Sequence, residues 1–196
     1  MEQQDILSMT LPELQAAVQE LGEPKFRAKQ IFNWLHQKRV TDFSEMTTLS
    51  LPFRERLASD FCINRLKIAK RLASSVDDTV KYLYELPDGN YVETVCMQYH
   101  HGTSLCISTQ VGCRMGCRFC ASAIAGFVRN LTPAKMLLQI YETERAQNCK
   151  ISSLVLMGIG EPLDNFDNVL RFLQLLSDPN GYGMSLRHVT VSTCGV

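Results

Sequence analysis

Along the first sixty residues apolar positions recur at helical spacing. Leu11, Leu14, Val18 and Leu21 share a face after Thr10, which suits a helix cap, and Gly22 closes the run. Pro24 restarts the chain, and Ala28, Ile31, Phe32 and Leu35 make a second apolar face. Ser50 suits the cap of a third helix, with Pro52 in its first turn and Leu57 and Phe61 inward. Trp34 is expected in the core of this helical module.

From Thr79 the period changes to two. Val80, Tyr82, Tyr84 and Leu86 alternate with Thr79, Lys81 and Glu85. Pro87-Asp88-Gly89 makes a turn, and residues 91–99 form a second strand, so this stretch reads as a β-hairpin.

Strand and helix alternate after that. Residues 104–110 read as a strand followed by a cysteine-rich loop. Thr132 caps a helix opened by Pro133, with Met136, Leu137, Ile140 and Tyr141 inward. Residues 153–157 read as a buried strand. Asn165 precedes a helix with Phe166, Val169, Leu170, Leu173 and Leu176 inward, and residues 188–193 form a further strand. Repeated β-loop-α units predict an α/β fold with a parallel sheet or barrel. The expected domains are a helical module over 1–62, a linker strand and hairpin over 63–100, and an α/β core over 101–196. The chain stops directly after a strand, whose edge is then left uncovered, so it reads as a C-terminally truncated protein.

At 196 residues, 45% of them hydrophobic, the chain can bury a real core. No apolar run reaches the roughly 20 residues of a membrane span. The acidic start Met1-Glu2-Gln3-Gln4-Asp5 has no hydrophobic signal core, which points to a cytoplasmic protein. The 20 basic residues balance the 20 acidic ones, which argues against bulk nucleic-acid binding but allows local basic patches. One run is Arg65, Lys67, Lys70 and Arg71, for which a solvated face is an equal reading. Arg114, Arg118 and Arg129 flank the cysteine-rich loop.

Three of the eight cysteines, Cys113, Cys117 and Cys120, are spaced i, i+4, i+7. In a cytoplasmic chain clustered cysteines more often mean metal or catalysis than disulfides. Three thiolates on one loop can hold three irons of a cubane cluster and leave the fourth iron open. Zinc is the alternative, though a structural zinc site wants four ligands and no fourth sits at finger-like spacing.

CxxxCxxC after a first strand resembles the radical S-adenosylmethionine superfamily. Closer resemblance, to the RlmN family, is carried by Ser108-Thr109-Gln110-Val111-Gly112-Cys113, by Gly126-Phe127-Val128-Arg129-Asn130-Leu131-Thr132 and by Met157-Gly158-Ile159-Gly160-Glu161-Pro162-Leu163. The stretch from Leu21 to Gln30 resembles that family's accessory helical domain. The resemblance implies an RNA-binding-like accessory domain and the first part of a radical SAM (β/α)6 partial barrel. It implies a methyltransferase that makes 2-methyladenosine in 23S rRNA and tRNA. It also implies a [4Fe–4S] cluster on Cys113, Cys117 and Cys120, S-adenosyl-L-methionine, and an electron donor such as flavodoxin or ferredoxin.

Other residues acquire roles the same way. Gly158-Ile159-Gly160-Glu161 follows a buried strand at the end where α/β folds bind ligands, although without the cysteines a plain βα turn with an acid at the helix start is the better reading. By resemblance Gly160 and Glu161 contact the methionyl part of S-adenosylmethionine, and Ser192 contacts the cofactor too. Glu93 shares a strand face with Tyr91, Val95, Met97 and Tyr99, and a carboxylate in an apolar row is costly unless paired or working. By resemblance it is a catalytic glutamate. Cys106 alternates with Leu105 and Ile107 and so faces the barrel interior; on its own it reads as a small hydrophobe. By resemblance it is the second thiol of the mechanism. That mechanism methylates a cysteine near the family's C-terminus, cleaves a second S-adenosylmethionine to a radical, and transfers the methyl carbon to carbon 2 of adenine. Cys106 then resolves the protein–RNA link through a transient disulfide. Cys62, Cys96, Cys149 and Cys194 match no functional position. The rivals are a Cfr-like enzyme acting at carbon 8 and a non-catalytic iron–sulfur or zinc RNA-binding module.

Overall fold

A computed structural model describes residues 3–124 and 126–196; Met1 and Glu2 of the acidic start lie outside them. The strands are β1 (Gln4–Asp5), β2 (Phe61–Cys62), β3 (Lys67–Ala73), β4 (Val80–Glu85), β5 (Tyr91–Tyr99), β6 (Gly102–Cys106), β7 (Gln110–Gly112), β8 (Phe127–Asn130), β9 (Ile151–Leu156) and β10 (Val189–Val191). The helices are α1 (Leu11–Glu20), α2 (Phe26–His36), α3 (Leu51–Asp60), α4 (Pro133–Gln147) and α5 (Phe166–Ser177). They divide into two compact units. The first holds the residues up to Asn64 with Leu173–Met184; the second holds Arg65–Phe172 with Ser185–Val196.

The first unit is helical. At the start of α1 the Glu13 carboxylate accepts from the Thr10 N–H at 2.8 Å, closing a capping box, and Gly22 ends the turn with φ +79. Leu14, Val18, Ala28, Ile31, Phe32, Leu35, Phe53 and Leu57 form its core. Two expectations are corrected. Phe61 lies beyond α3 in β2, which pairs parallel with β1, and is half-buried because the helix has already ended at Asp60. Trp34 is half-buried: its indole N–H donates to Thr48 Oγ1 at 2.8 Å, and the Lys38 ammonium lies 3.3 Å from the ring centroid. An indole needs a partner for its N–H, and a rim position supplies one.

The second unit is built on a six-stranded mixed sheet of order β10-β9-β6-β5-β4-β3. β6, β9 and β10 run parallel, while β3 to β6 are antiparallel neighbours. The hairpin strands read from the sequence as lying between two domains therefore belong to the same sheet as the later strands. Val80, Tyr82 and Tyr84 of β4, Val92, Thr94 and Cys96 of β5, and Leu105 of β6 share one buried face. α4 packs there. Tyr84 Oη and Thr143 Oγ1 are 2.8 Å apart, Thr94 Oγ1 donates to Gln139 Oε1 at 2.9 Å, and Gln147 Nε2 donates to Tyr82 Oη at 2.7 Å.

The segment read as one strand over 104–110 is two. β6 ends at Cys106, and β7 starts at Gln110 and pairs antiparallel with β8 instead. The break occurs where Gln139 takes the Ser108 N–H at 2.8 Å and returns its own N–H to the Ser108 carbonyl at 2.9 Å. α5 buries Val169 and Leu176 as expected, but the rest of its inward face differs. Val169, Phe172, Leu175 and Leu176 are buried, whereas Phe166 is 55% and Leu170 46% exposed. Both stripes are apolar, and hydrophobicity alone does not rank them. β10 is shorter than expected because residues 186–188 form a 3-10 turn in which Ser185 Oγ accepts from the Arg187 N–H.

Candidate active site

The C-terminal ends of β6, β9 and β10 lie side by side, and the loops that leave them carry the candidate residues. From β6 the chain crosses Ile107-Ser108-Thr109 into β7 and the cysteine-rich loop. Backbone bonds hold it: Ile107 N–H to the Val155 carbonyl at 3.0 Å, Thr109 N–H to the Ile159 carbonyl at 2.9 Å, and Cys113 N–H to the Gly126 carbonyl at 3.1 Å.

Cys113, Cys117 and Cys120 are half-buried, and none of the eight cysteines forms a disulfide. Phe119 beside Cys120 is 94% exposed. Among the described residues no three His, Cys, Asp or Glu side chains are gathered as a preformed metal site. At Gly116, between the first two cysteines in the sequence, φ is +66 and a Cβ would meet nothing within 4 Å, so the loop has open space beside it there. Four residues before Cys113, the buried Thr109 Oγ1 has no hydrogen-bond partner among the described residues.

Cys106 and Glu93 lie on the sheet face opposite α4. Val95 is directly opposite Cys106, and Glu93, two residues earlier on β5, shares that face. The expected carboxylate in an apolar row is thus found, but on the half-exposed face: the Glu93 side chain is 42% exposed and accepts an ion pair from Lys81 Nζ at 2.8 Å. The Glu93 carbonyl also accepts from Ser108 Oγ at 2.6 Å, and Ser108 Oγ accepts from the Ile159 N–H at 3.0 Å. Ser108 therefore ties the glutamate strand to the loop after β9. Burial pushes the Cys106 thiol pKa up, partly offset by a backbone hydrogen bond at Met157.

A polar network that the sequence did not disclose fixes the approach to the cysteines. Gln110 Nε2 donates to Asn130 Oδ1 at 2.8 Å and to Asp164 Oδ2 at 2.7 Å, while Gln110 Oε1 accepts from the Glu161 N–H at 2.8 Å. Asp164 also pairs with Arg114 at 3.0 Å, inside the cysteine motif. Asn165 donates to the carbonyls of Thr109 at 2.8 Å and Leu131 at 2.9 Å. Gln110, Gln139 and Asn165 are buried, and each is satisfied. The available signal was a polar residue, Gln139, within the apolar face of α4.

Gly158 and Gly160 serve packing between loops. A Cβ on Gly158 would stand 2.7 Å from the Ile107 carbonyl group, and one on Gly160 would stand 2.6 Å from Gln110 Cβ. Glu161 is buried; one oxygen accepts from the Leu163 N–H at 2.9 Å and the other from the Cys194 N–H at 2.8 Å. Desolvation raises its pKa, but these bonds, with one from the Thr193 hydroxyl, outweigh it and hold the carboxyl below its ordinary range. Glu161 thereby joins the loop after β9 to the segment after β10. Ser192, within that segment, is exposed. The Cys194 thiol, hydrogen-bonded to Glu161, has its pKa raised by that carboxylate.

The family model for the ribosomal RNA large subunit methyltransferase N-terminal domain matches residues 4–63. A probable dual-specificity RNA methyltransferase RlmN of Lachnoclostridium phytofermentans is 52% identical over 195 residues, covering 98% of this chain and 54% of that protein. One from Alkaliphilus oremlandii is 50% identical over 196 residues, covering 100% of this chain and 57% of that protein. The crystal structure of a radical SAM methyltransferase from Sphaerobacter thermophilus superposes with a TM-score of 0.90 at 34% identity, covering 98% of this chain and 57% of that one. The chain spans little more than half the length of the curated relatives it matches.

Proposed function

Because this chain belongs to the RlmN family, we propose that it supplies the cluster-binding part of a radical S-adenosylmethionine enzyme that makes 2-methyladenosine in 23S rRNA and tRNA. The observation that carries the reading is the strand register that sets Glu93 and Cys106 on one face of the sheet, on the strands that lead into the CxxxCxxC loop.

Cys113, Cys117 and Cys120 are the residues that would hold a [4Fe–4S] cluster. Three thiols on one loop, none in a disulfide and with open space at Gly116, fit the donor set such a cluster takes. When bound, the cluster supplies the electron that cleaves S-adenosyl-L-methionine to a 5′-deoxyadenosyl radical, with flavodoxin or ferredoxin as the donor class. Gly160, Glu161 and Ser192 are assigned to S-adenosylmethionine. The Glu161 carboxylate suits an ammonium, since four hydrogen-bond donors favour its ionised form. Glu93 is assigned to proton exchange on the adenine, with Lys81 holding its carboxylate in place. Cys106 is assigned to the thiol that resolves the protein–RNA link. The cytoplasm is the compartment this activity implies, and no helix among the described residues is long and apolar enough to cross a membrane.

The test uses the protein extended to the length of its relatives, reconstituted with iron and sulfide under reducing conditions. Nucleoside mass spectrometry should find 2-methyladenosine in rRNA and tRNA. 8-Methyladenosine would assign the Cfr-like chemistry. Unmodified RNA from a protein that holds its cluster would leave a binding module.

A further inference from the structure

β3 is the edge strand of the sheet, and all seven of its residues are exposed. It carries Lys67, Lys70 and Arg71 and no acid. In a regular strand, residues three apart point to opposite faces. Here the register shifts between Ile68 and Lys70, leaving Ala69 without a partner on β4. Lys67 is therefore opposite Glu85 and Lys70 opposite Leu83, so both lysines share a face.

That face is the one bearing the candidate catalytic pair. Leu83 is opposite Glu93 on β5, and Val95 is opposite Cys106 on β6. Lys81 belongs to it as well, opposite Val95 and paired with Glu93. Arg71, next in sequence to Lys70, is opposite Tyr82 and lies on the α4 side, where it lines a recess of about 450 Å³ with Gln147 and Gln98. Of the three lysines, Lys67 is paired with Glu85 at 3.3 Å and Lys81 with Glu93 at 2.8 Å. Lys70 has no acidic partner among the described residues.

We propose that Lys70, with Lys67 beside it, seats phosphates of the RNA strand next to the adenosine presented to Glu93 and Cys106, and that the bulge at Ala69 exists to turn both lysines to that face. The occupant is a single-stranded polyanion, because the lysines line one side of the half-exposed face that holds the carboxylate–thiol pair. A charged edge strand also blunts strand-to-strand association, but that role is indifferent to which face a lysine occupies. The proposal rests on the RNA methyltransferase reading above.

The experiment exploits the two neighbouring cations on opposite faces. The 196-residue chain and its variants Lys70→Glu and Arg71→Glu are titrated with a fluorescent single-stranded adenosine-containing RNA oligonucleotide at several salt concentrations. Circular dichroism melts confirm that each variant is folded. Lys70→Glu should weaken binding about fivefold and reduce the slope of log affinity against log salt by about 0.7, one phosphate contact on a single strand. Arg71→Glu, the same charge reversal one residue away, should leave both within twofold. Equal losses in the two variants would mean a diffuse basic field and overturn the assignment. So would unchanged binding by Lys70→Glu, or no binding by the wild type. Nucleoside mass spectrometry on the extended protein reports separately on the underlying reading: 2-methyladenosine formed by a Lys70→Glu enzyme of undiminished RNA affinity would refute the surface and leave the activity standing.

Discussion

Glu93 and Cys106 stand one diagonal step apart on the same face of the sheet, because Val95 is directly opposite Cys106 and Glu93 is two residues before it. Diagonal neighbours in an antiparallel pair are about 7–8 Å apart, within reach of one substrate base between them. The opposite face of the same strands is packed by α4.

Glu93→Gln in the extended protein keeps the size of the side chain and removes its charge. The account predicts unchanged iron content and S-adenosylmethionine cleavage, with 2-methyladenosine formation reduced at least 100-fold, in the range for loss of an acid–base group. Parallel assays of 5′-deoxyadenosine and 2-methyladenosine read the two separately. Wild-type methylation would reduce Glu93 to the partner of Lys81.

Gln139→Leu should destabilise the second unit by about 3 kcal/mol. The substitution leaves the Ser108 N–H and carbonyl and the Thr94 hydroxyl without the partner they now share. Urea unfolding of the 196-residue chain measures it. A loss under 1 kcal/mol would mean that water replaces the amide.

Much of this architecture was legible in the sequence, and the misses share a physical cause. Val80, Tyr82 and Tyr84 announce their strand because one face is buried and the other is not. α5 offered two apolar stripes, and only tertiary packing added Phe172 to the buried Val169 and left Phe166 and Leu170 exposed. The Ser108–Gln139 bond spans 31 residues and the Gln110–Glu161 bond 51, so no local pattern could show them. The three cysteines were legible as a spacing, and Glu93 as an anomaly in an apolar row. The face that Glu93 shares with Cys106 required the strand register. Lys67 and Lys70 read as a charge run until the bulge at Ala69 gave them a common direction.

Gly160→Ala is predicted to be far worse than Gly22→Ala. Both glycines have positive φ, +110 and +79 respectively, but a Cβ at 160 would stand 2.6 Å from Gln110 Cβ and one at 22 would meet nothing within 4 Å. The cost at 22 should be about 1 kcal/mol from backbone strain, and at 160 about 3 kcal/mol or more with the added overlap. Thermal melts of the two variants rank them. Equal costs would show that the loop after β9 gives way easily.

His36 makes stability pH-dependent. Burial lowers its pKa to about 4, a shift partly offset by the Asp178 carboxylate. The unfolded imidazole titrates near 6.5, so below that pH the unfolded chain binds a proton that the folded chain refuses. The stabilisation is full above about pH 6.5 and is lost as pH falls toward 4, by about 3 kcal/mol in all. Urea midpoints from pH 7 to 4 should fall more steeply for the wild type than for His36→Leu. Parallel curves would mean that the folded imidazole is protonated in place.

The most direct test of the central claim is the iron content of the 196-residue chain after anaerobic reconstitution with iron and sulfide. The account predicts about four irons per chain with the charge-transfer absorption of a [4Fe–4S] cluster, lost on replacing any one of Cys113, Cys117 or Cys120 by Ala. One tightly held zinc per chain with no cluster, or a cluster that survives those substitutions, would contradict it.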